Sequence, residues 1–145
     1  MFAFLSHHRP RSVNAKTSEK YKRGIREIFK NKVPAISRSE DDLYAVVYYF
    51  HRVPTTQDAD NISKPILDAL EGLAYADDRL VKLRQAAIVD LRSPAMEALD
   101  LTRMPSEVFD TFIEKLDRED HTVYVELGKL DYRQLQFSYE TLREV

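Results

Sequence analysis

LYAVVYYFHR, residues 43–52, is the stretch on which the fold turns. It is an almost unbroken apolar run rich in Val, Tyr and Phe, the pattern of a β-strand buried on both faces. Pro54 breaks it, and the polar residues 55–61 lead to a helix expected over about residues 62–71. In that helix Ile62, Ile66, Ala69 and Leu70 face the core, Pro65 must lie in the first turn, and Gly72 is placed to supply a left-handed C-terminal cap. After a turn at residues 75–78, the chain alternates over residues 81–91. Val81, Leu83, Ala87, Val89 and Leu91 fall on one side and Lys82, Arg84 and Asp90 on the other, with Gln85 an exception on the apolar face. That alternation predicts a half-buried strand.

Working outward, residues 2–5 suit a short first strand, and residues 17–31 suit a helix that Pro34 ends. Its Tyr21, Ile25, Ile28 and Phe29 fall at helical spacing, with the basic residues largely opposite. Residues 105–117 form an amphipathic pattern, with Val108, Phe109, Phe112, Ile113 and Leu116 on its apolar side. Residues 121–127 read as another strand. Residues 132–145 fit a helix through Leu135, Tyr139 and Leu142, or a segment that begins as a strand. A chain of 145 residues with this order of elements is expected to form one α/β (α+β) domain over residues 1–145.

Hydrophobic residues make up 43% and charged residues 32%, which suits a packed interior and excludes a disordered chain. The absence of cysteine removes disulfides, thiolate metal sites and cysteine nucleophiles together. The apolar run at residues 1–5 ends before His7 and His8, too short for a signal-peptide core or a membrane span, so a cytoplasmic address and no membrane partner are expected. The formal net charge of -2 hides an imbalance. Residues 1–38 carry ten Lys or Arg against Glu19 and Glu27, a charge of +8, and leave -10 for the rest. A basic segment beside an acidic remainder suits a surface that meets phosphates while carboxylates hold a cation, and equally a solvated basic helix face.

The acidic residues concentrate in Asp58-Ala59-Asp60-Asn61 and, after the second helix, in Asp77-Asp78. Two carboxylates one residue apart at the end of a loop can direct oxygens to one centre, and a third from the next turn can complete an all-oxygen site of the kind Mg²⁺ prefers. Lys64 lies four residues after Asp60 and four before Asp68, so on a helix the three share one edge. A plainer arrangement is open as well: Asp60 or Asn61 as a helix cap, Lys64 and Asp68 as a surface pair, Asp77 and Asp78 as a solvated turn. A helix-loop-helix calcium site fits less well, since Ile62, Ser63 and Ala69 stand where that loop needs an oxygen ligand, a glycine and a glutamate.

D-x-D-N-x-x-K, followed by I-L-D-A-L, a glycine, an aromatic residue and D-D, resembles the signature of the RusA family of Holliday-junction resolvases. The similarity covers residues 43–91 well and the first strand and basic helix more loosely. The resemblance implies a mixed sheet with helices in a dimeric domain. It also implies a Mg²⁺-dependent endonuclease, with Mn²⁺ as an alternative ion, acting on branched DNA. By the same resemblance Asp58, Asp60 and Asp78 hold the metal, and Lys64 is needed for cleavage. Arg9, Arg11 and Lys16 are expected to contact phosphate. The chain departs from the family pattern in its acidic second half, in an insertion at about residues 93–120, and in its continuation past Leu127. Two rivals accompany this expectation: a non-catalytic protein of the same fold that binds a protein or nucleic-acid partner, and a metal-dependent phosphoesterase acting on another nucleotide.

Overall fold

The computed structural model describes residues 1–11, 16–33, 38–94 and 99–137. Its elements, in chain order, are β1 (Phe2–Ser6), α1 (Ser18–Lys32), β2 (Leu43–His51), α2 (Ala59–Leu70), β3 (Val81–Asp90), α3 (Ser106–Arg118) and β4 (His121–Lys129). Single 3₁₀ turns stand at Asp78–Leu80 and Tyr132–Gln134. The strands form one mixed sheet in the order β1-β4-β2-β3, with β2 parallel to β3 and antiparallel to β4, and β1 antiparallel to β4. The expected α+β class holds.

Residues 43–51 of this run become β2, flanked by β4 and β3, with every residue of the strand but Tyr48 buried. Its two faces serve two apolar layers. Leu43, Ala45, Val47 and Tyr49 pack with α1 and α2 through Tyr21, Ile25, Phe29, Ile62, Ile66 and Leu70. Tyr44, Val46 and Phe50 meet α3 through Val108 and Phe112. A strand covered on both sides cannot alternate polar and apolar residues, which is why its sequence reads as continuous.

Three expectations need correction. The second helix begins at Ala59, three residues earlier than expected, because the Asp58 side chain accepts a hydrogen bond from Asn61 N at 2.8 Å and caps it. Pro65 therefore lies inside α2 and not in its first turn. In β3, Val81 and Leu83 do not share a face. Leu43 pairs with Val81 and Tyr44 with Leu83, so Lys82 is an extra residue that interrupts the alternation. On α3, Val108 and Phe112 are buried, whereas Phe109 and Ile113 are 39% and 40% exposed, since the apolar side of the helix is wider than the contact the sheet offers. Gly72 follows α2 with φ +82°, the left-handed conformation expected of it. Pro34 lies outside the described residues, as do residues 138–145 of the C-terminal tail, which shows a 3₁₀ turn at Tyr132–Gln134.

Candidate active site

The β2-α2-β3 unit carries the acidic residues, and α2 sets their spacing. Asp58 and Asp60 stand at its N-terminus, where the helix dipole and unpaired N–H groups favour negative charge. Asp58 Oδ1 accepts from Asn61 N, and its Oδ2 accepts from Asn61 Nδ2 at 3.1 Å. Asp60 is exposed, and its closest cation is Arg84 of β3, with Nη2 3.8 Å from Oδ1. One turn along, Lys64 Nζ donates to both Asp68 oxygens at 3.2 and 3.3 Å. Lys22 of α1 stands 4.0 Å from Asp68 Oδ2. Of the edge formed by Asp60, Lys64 and Asp68, Lys64 thus pairs with Asp68, while Asp60 turns toward the sheet.

The return from α2 to β3 is held by Tyr75. This ring is fully buried, its hydroxyl donates to Leu67 O, and its own carbonyl accepts from Gly72 N at 2.8 Å. Anchoring Tyr75 fixes Asp77 and Asp78 beside the C-terminal end of α2. Asp77 caps the following 3₁₀ turn and is gripped by Arg79, Nε to Oδ1 and Nη2 to Oδ2, both at 3.0 Å. The guanidinium holds this carboxyl well below the usual carboxylate range, at about 2. Asp78 is exposed and lines a cleft of about 320 Å³ with Lys64, Leu67, Asp68, Tyr75, Val81, Lys82 and Arg84.

Among the described residues, one set of three carboxylates has ligand oxygens all within 4.8 Å of one another: Glu71, Asp77 and Asp78. Asp58 and Asp60 are not in it. A 12-residue helix is about 18 Å long. Asp58 caps one end of it, while Glu71, at its other end, meets Asp78. The structure therefore does not gather Asp58, Asp60 and Asp78 around one point, but distributes them along α2 and the cleft beside it. Both donor sets are all-oxygen and solvent-facing, the chemistry that suits a hard divalent ion retaining several waters.

Arg9 and Arg11 follow β1, and their charges bear on His121 at the end of the sheet from which residues 52–58 lead to Asp58. Burial, then Arg9, lowers the His121 pKa, and its Nδ1 lies 2.7 Å from the Tyr49 hydroxyl. Lys16 is exposed just before α1. Two residues escaped the sequence reading. Glu71 looked like the last residue of a helix, and Arg84 like the solvent side of an ordinary alternating strand. The return held by Tyr75 brings Glu71 to Asp77 and Asp78, and the extra residue in β3 brings Arg84 to the cleft.

A cleft that interleaves carboxylates with Lys64, Lys82 and Arg84 can hold a divalent ion against a phosphodiester, which is the class of site that metal-dependent nucleases use. The family profile described as Endodeoxyribonuclease RusA matches residues 4–97. The chain belongs to this family, and it is an endodeoxyribonuclease of the Holliday-junction-resolving type, acting on branched DNA. Nucleases of the family depend on divalent metal ions. No curated protein matches the chain. Among the described residues, no helix is long and apolar enough to cross a membrane.

Proposed function

We propose that the enzyme hydrolyses phosphodiesters at the branch of a DNA junction as a cytoplasmic homodimer, with one Mg²⁺ per active site and Mn²⁺ as a substitute. Asp58, Asp60 and Asp78 are the ligands this reading assigns. The supporting observation is the cleft, where exposed Asp78 shares a wall with Lys64 and Arg84, and Arg84 in turn reaches Asp60. Binding the ion requires the carboxylates at the α2 N-terminus to converge with Asp78, and the 91% exposure of the Asp60 side chain leaves it free to turn. The ion supplies charge neutralisation at the phosphate and a lowered pKa for the attacking water. Water attacks phosphorus, one P–O bond breaks, and Lys64, steadied by Asp68, stabilises charge on the departing oxygen. Arg9, Arg11 and Lys16 contact phosphates away from the cut.

The proximity of Glu71, Asp77 and Asp78 favours a second ligand set that shares Asp78. Calorimetric titration of Mn²⁺ into the DNA-free protein separates the two. Loss of binding in Asp60→Asn and Asp78→Asn with retention in Glu71→Gln supports the first set, and the opposite pattern at positions 60 and 71 supports the second. Cleavage of four-way junction, duplex and single strand with and without Mg²⁺ tests the activity. Junction left intact by the folded protein with either Mg²⁺ or Mn²⁺ overturns the reading.

Two incisions placed symmetrically in a four-way junction call for two sites related by a two-fold axis, which an isologous dimer provides. Exposed Phe109 and Ile113 on α3 offer apolar surface for pairing, while β2 is interior and offers none. The family match ends at residue 97. Residues 93–120 are read as an insertion whose helix α3 packs on the sheet face opposite α1 and α2, leaving the acidic cleft open. Sedimentation at micromolar protein tests pairing: a monomer that stays monomeric on junction DNA removes the paired-incision scheme.

A further inference from the structure

Strand β3 contains one irregularity, and it decides where Arg84 points. Side chains alternate along a strand, so a single extra residue exchanges the faces of everything that follows it. Val81, before the extra Lys82, packs with the layer of α1 and α2. Beyond it, Leu83 and Val89 pack with the α3 layer, and Ile88 returns to the α1 and α2 layer. Uninterrupted alternation from Val81 would place Arg84 on the α3 side. With Lys82 inserted, Arg84 pairs with Ala45 on the face that carries α2, and it lines the cleft with Lys64, Asp68 and Asp78.

The Arg84 guanidinium is also unsaturated. Arg79, Arg92 and Arg133 each grip an aspartate two residues earlier in the chain through Nε and Nη2. Arg84 has only the 3.8 Å approach to Asp60 Oδ1, its side chain is 42% exposed, and among the described residues its guanidinium makes no hydrogen bond. A guanidinium presents donors in a planar fork that matches two oxygens of a phosphate. An arginine turned into the acidic cleft by a strand irregularity, with its fork unused, is placed to take up a phosphate there.

We propose that Arg84 is a catalytic residue that clamps the non-bridging oxygens of the scissile phosphate, an assignment that rests on the cleft being the active site. The test uses the full chain and a labelled four-way junction. Binding is measured in EDTA across a KCl series, and kcat is measured in Mg²⁺ at saturating junction. Arg84→Ala is expected to reduce the magnitude of the salt slope by about one, the signature of one lost phosphate contact. It is expected to lower kcat by about 10²-fold or more, with circular dichroism unchanged. Arg84→Lys restores the slope but not kcat, because a point charge lacks the fork. Asp60→Asn/Arg84→Ala is compared with Asp60→Asn to ask whether Arg84 serves only to neutralise Asp60. Equal metal-free binding by these two variants overturns the proposal, and so does a wild-type kcat in Arg84→Ala. If the wild-type protein cuts no junction, the proposed function fails by itself, while the salt slope in EDTA still reports whether Arg84 meets a phosphate.

Discussion

Lys64 Nζ lies 3.2 Å from Asp68 Oδ1, one turn further along α2, and Lys22 Nζ approaches the other Asp68 oxygen at 4.0 Å. Asp68 therefore tethers cations from two helices where the acidic cleft opens. Lys64 is held on the cleft side of α2 by this partner. Asp68→Asn removes the tether without changing shape and is expected to lower kcat several-fold, less than loss of Lys64 itself. Lys64→Ala/Asp68→Asn should be no slower than Lys64→Ala. Single-turnover kinetics check this, and additive losses in the double variant would show that Asp68 acts independently.

Lys64→Ala should reduce kcat by about 10²-fold or more while changing junction affinity little, because a cation beside the reacting phosphate acts on charge that develops in the transition state. Kinetics combined with anisotropy measurements in EDTA separate the two effects. Equal losses in binding and turnover would place Lys64 among the general phosphate contacts.

Asp58 performs a structural task whatever its part in metal binding, and the choice of substitution separates the two. Asparagine caps helices as well as aspartate does, so Asp58→Asn should melt close to wild type, whereas Asp58→Ala should lose about 1 kcal/mol of stability. If Asp58 also holds the ion, Asp58→Asn loses cleavage at full stability. Urea unfolding and junction cleavage measured on both variants decide it.

The His121 pKa is lowered, first by burial and then by Arg9, so the folded protein binds a proton there less readily than the unfolded chain does. Between the lowered folded value and the unfolded value of about 6.5, the unfolded state carries more protons, and stability must fall as pH falls. Above pH of about 6.5 the contribution is complete. The urea midpoint should therefore drop between pH 7.5 and 5.5, and His121→Gln should flatten part of that slope. His8, lowered by burial and by His7, should supply a further part.

Gly128 shows how closely β4 is covered. A Cβ built there would sit 2.5 Å from Tyr44 Cε1, and Tyr44 cannot easily yield because its hydroxyl donates to Glu126 Oε2 at 2.7 Å. Gly128→Ala should cost about 1–3 kcal/mol through overpacking, measured as a lower urea midpoint. Gly72→Ala meets no atom within 4 Å, but must be destabilised by its φ of +82° alone.

Sequence alone determined the elements and the family. The apolar run of β2, the helical spacing of Tyr21, Ile25 and Phe29, and the Ile62, Ile66, Ala69 and Leu70 face of α2 were legible because burial selects residue types at the period of each element. The D-x-D-N-x-x-K string was legible through its family resemblance, because a carboxylate-rich run before a helix is by itself equally a cap, the task Asp58 performs. The order β1-β4-β2-β3 was decided only in three dimensions, since the pairings of β4 with β1 and β2 join residues far apart in the chain. The earlier start of α2 followed from the hydrogen bond that Asp58 makes, and local spacing could not distinguish it from a start at Ile62. The aim of Arg84 hung on one unpaired residue in β3, which became visible only against the register of β2. Glu71 joined Asp77 and Asp78 because buried Tyr75 folds the return from α2 back onto it, whereas the sequence had offered Asp58 and Asp60 as the companions of Asp78. Composition and spacing report which side chains can share a face, but a cleft between elements is set by caps, registers and buried anchors, each of which is a contact between residues that the linear pattern treats as independent.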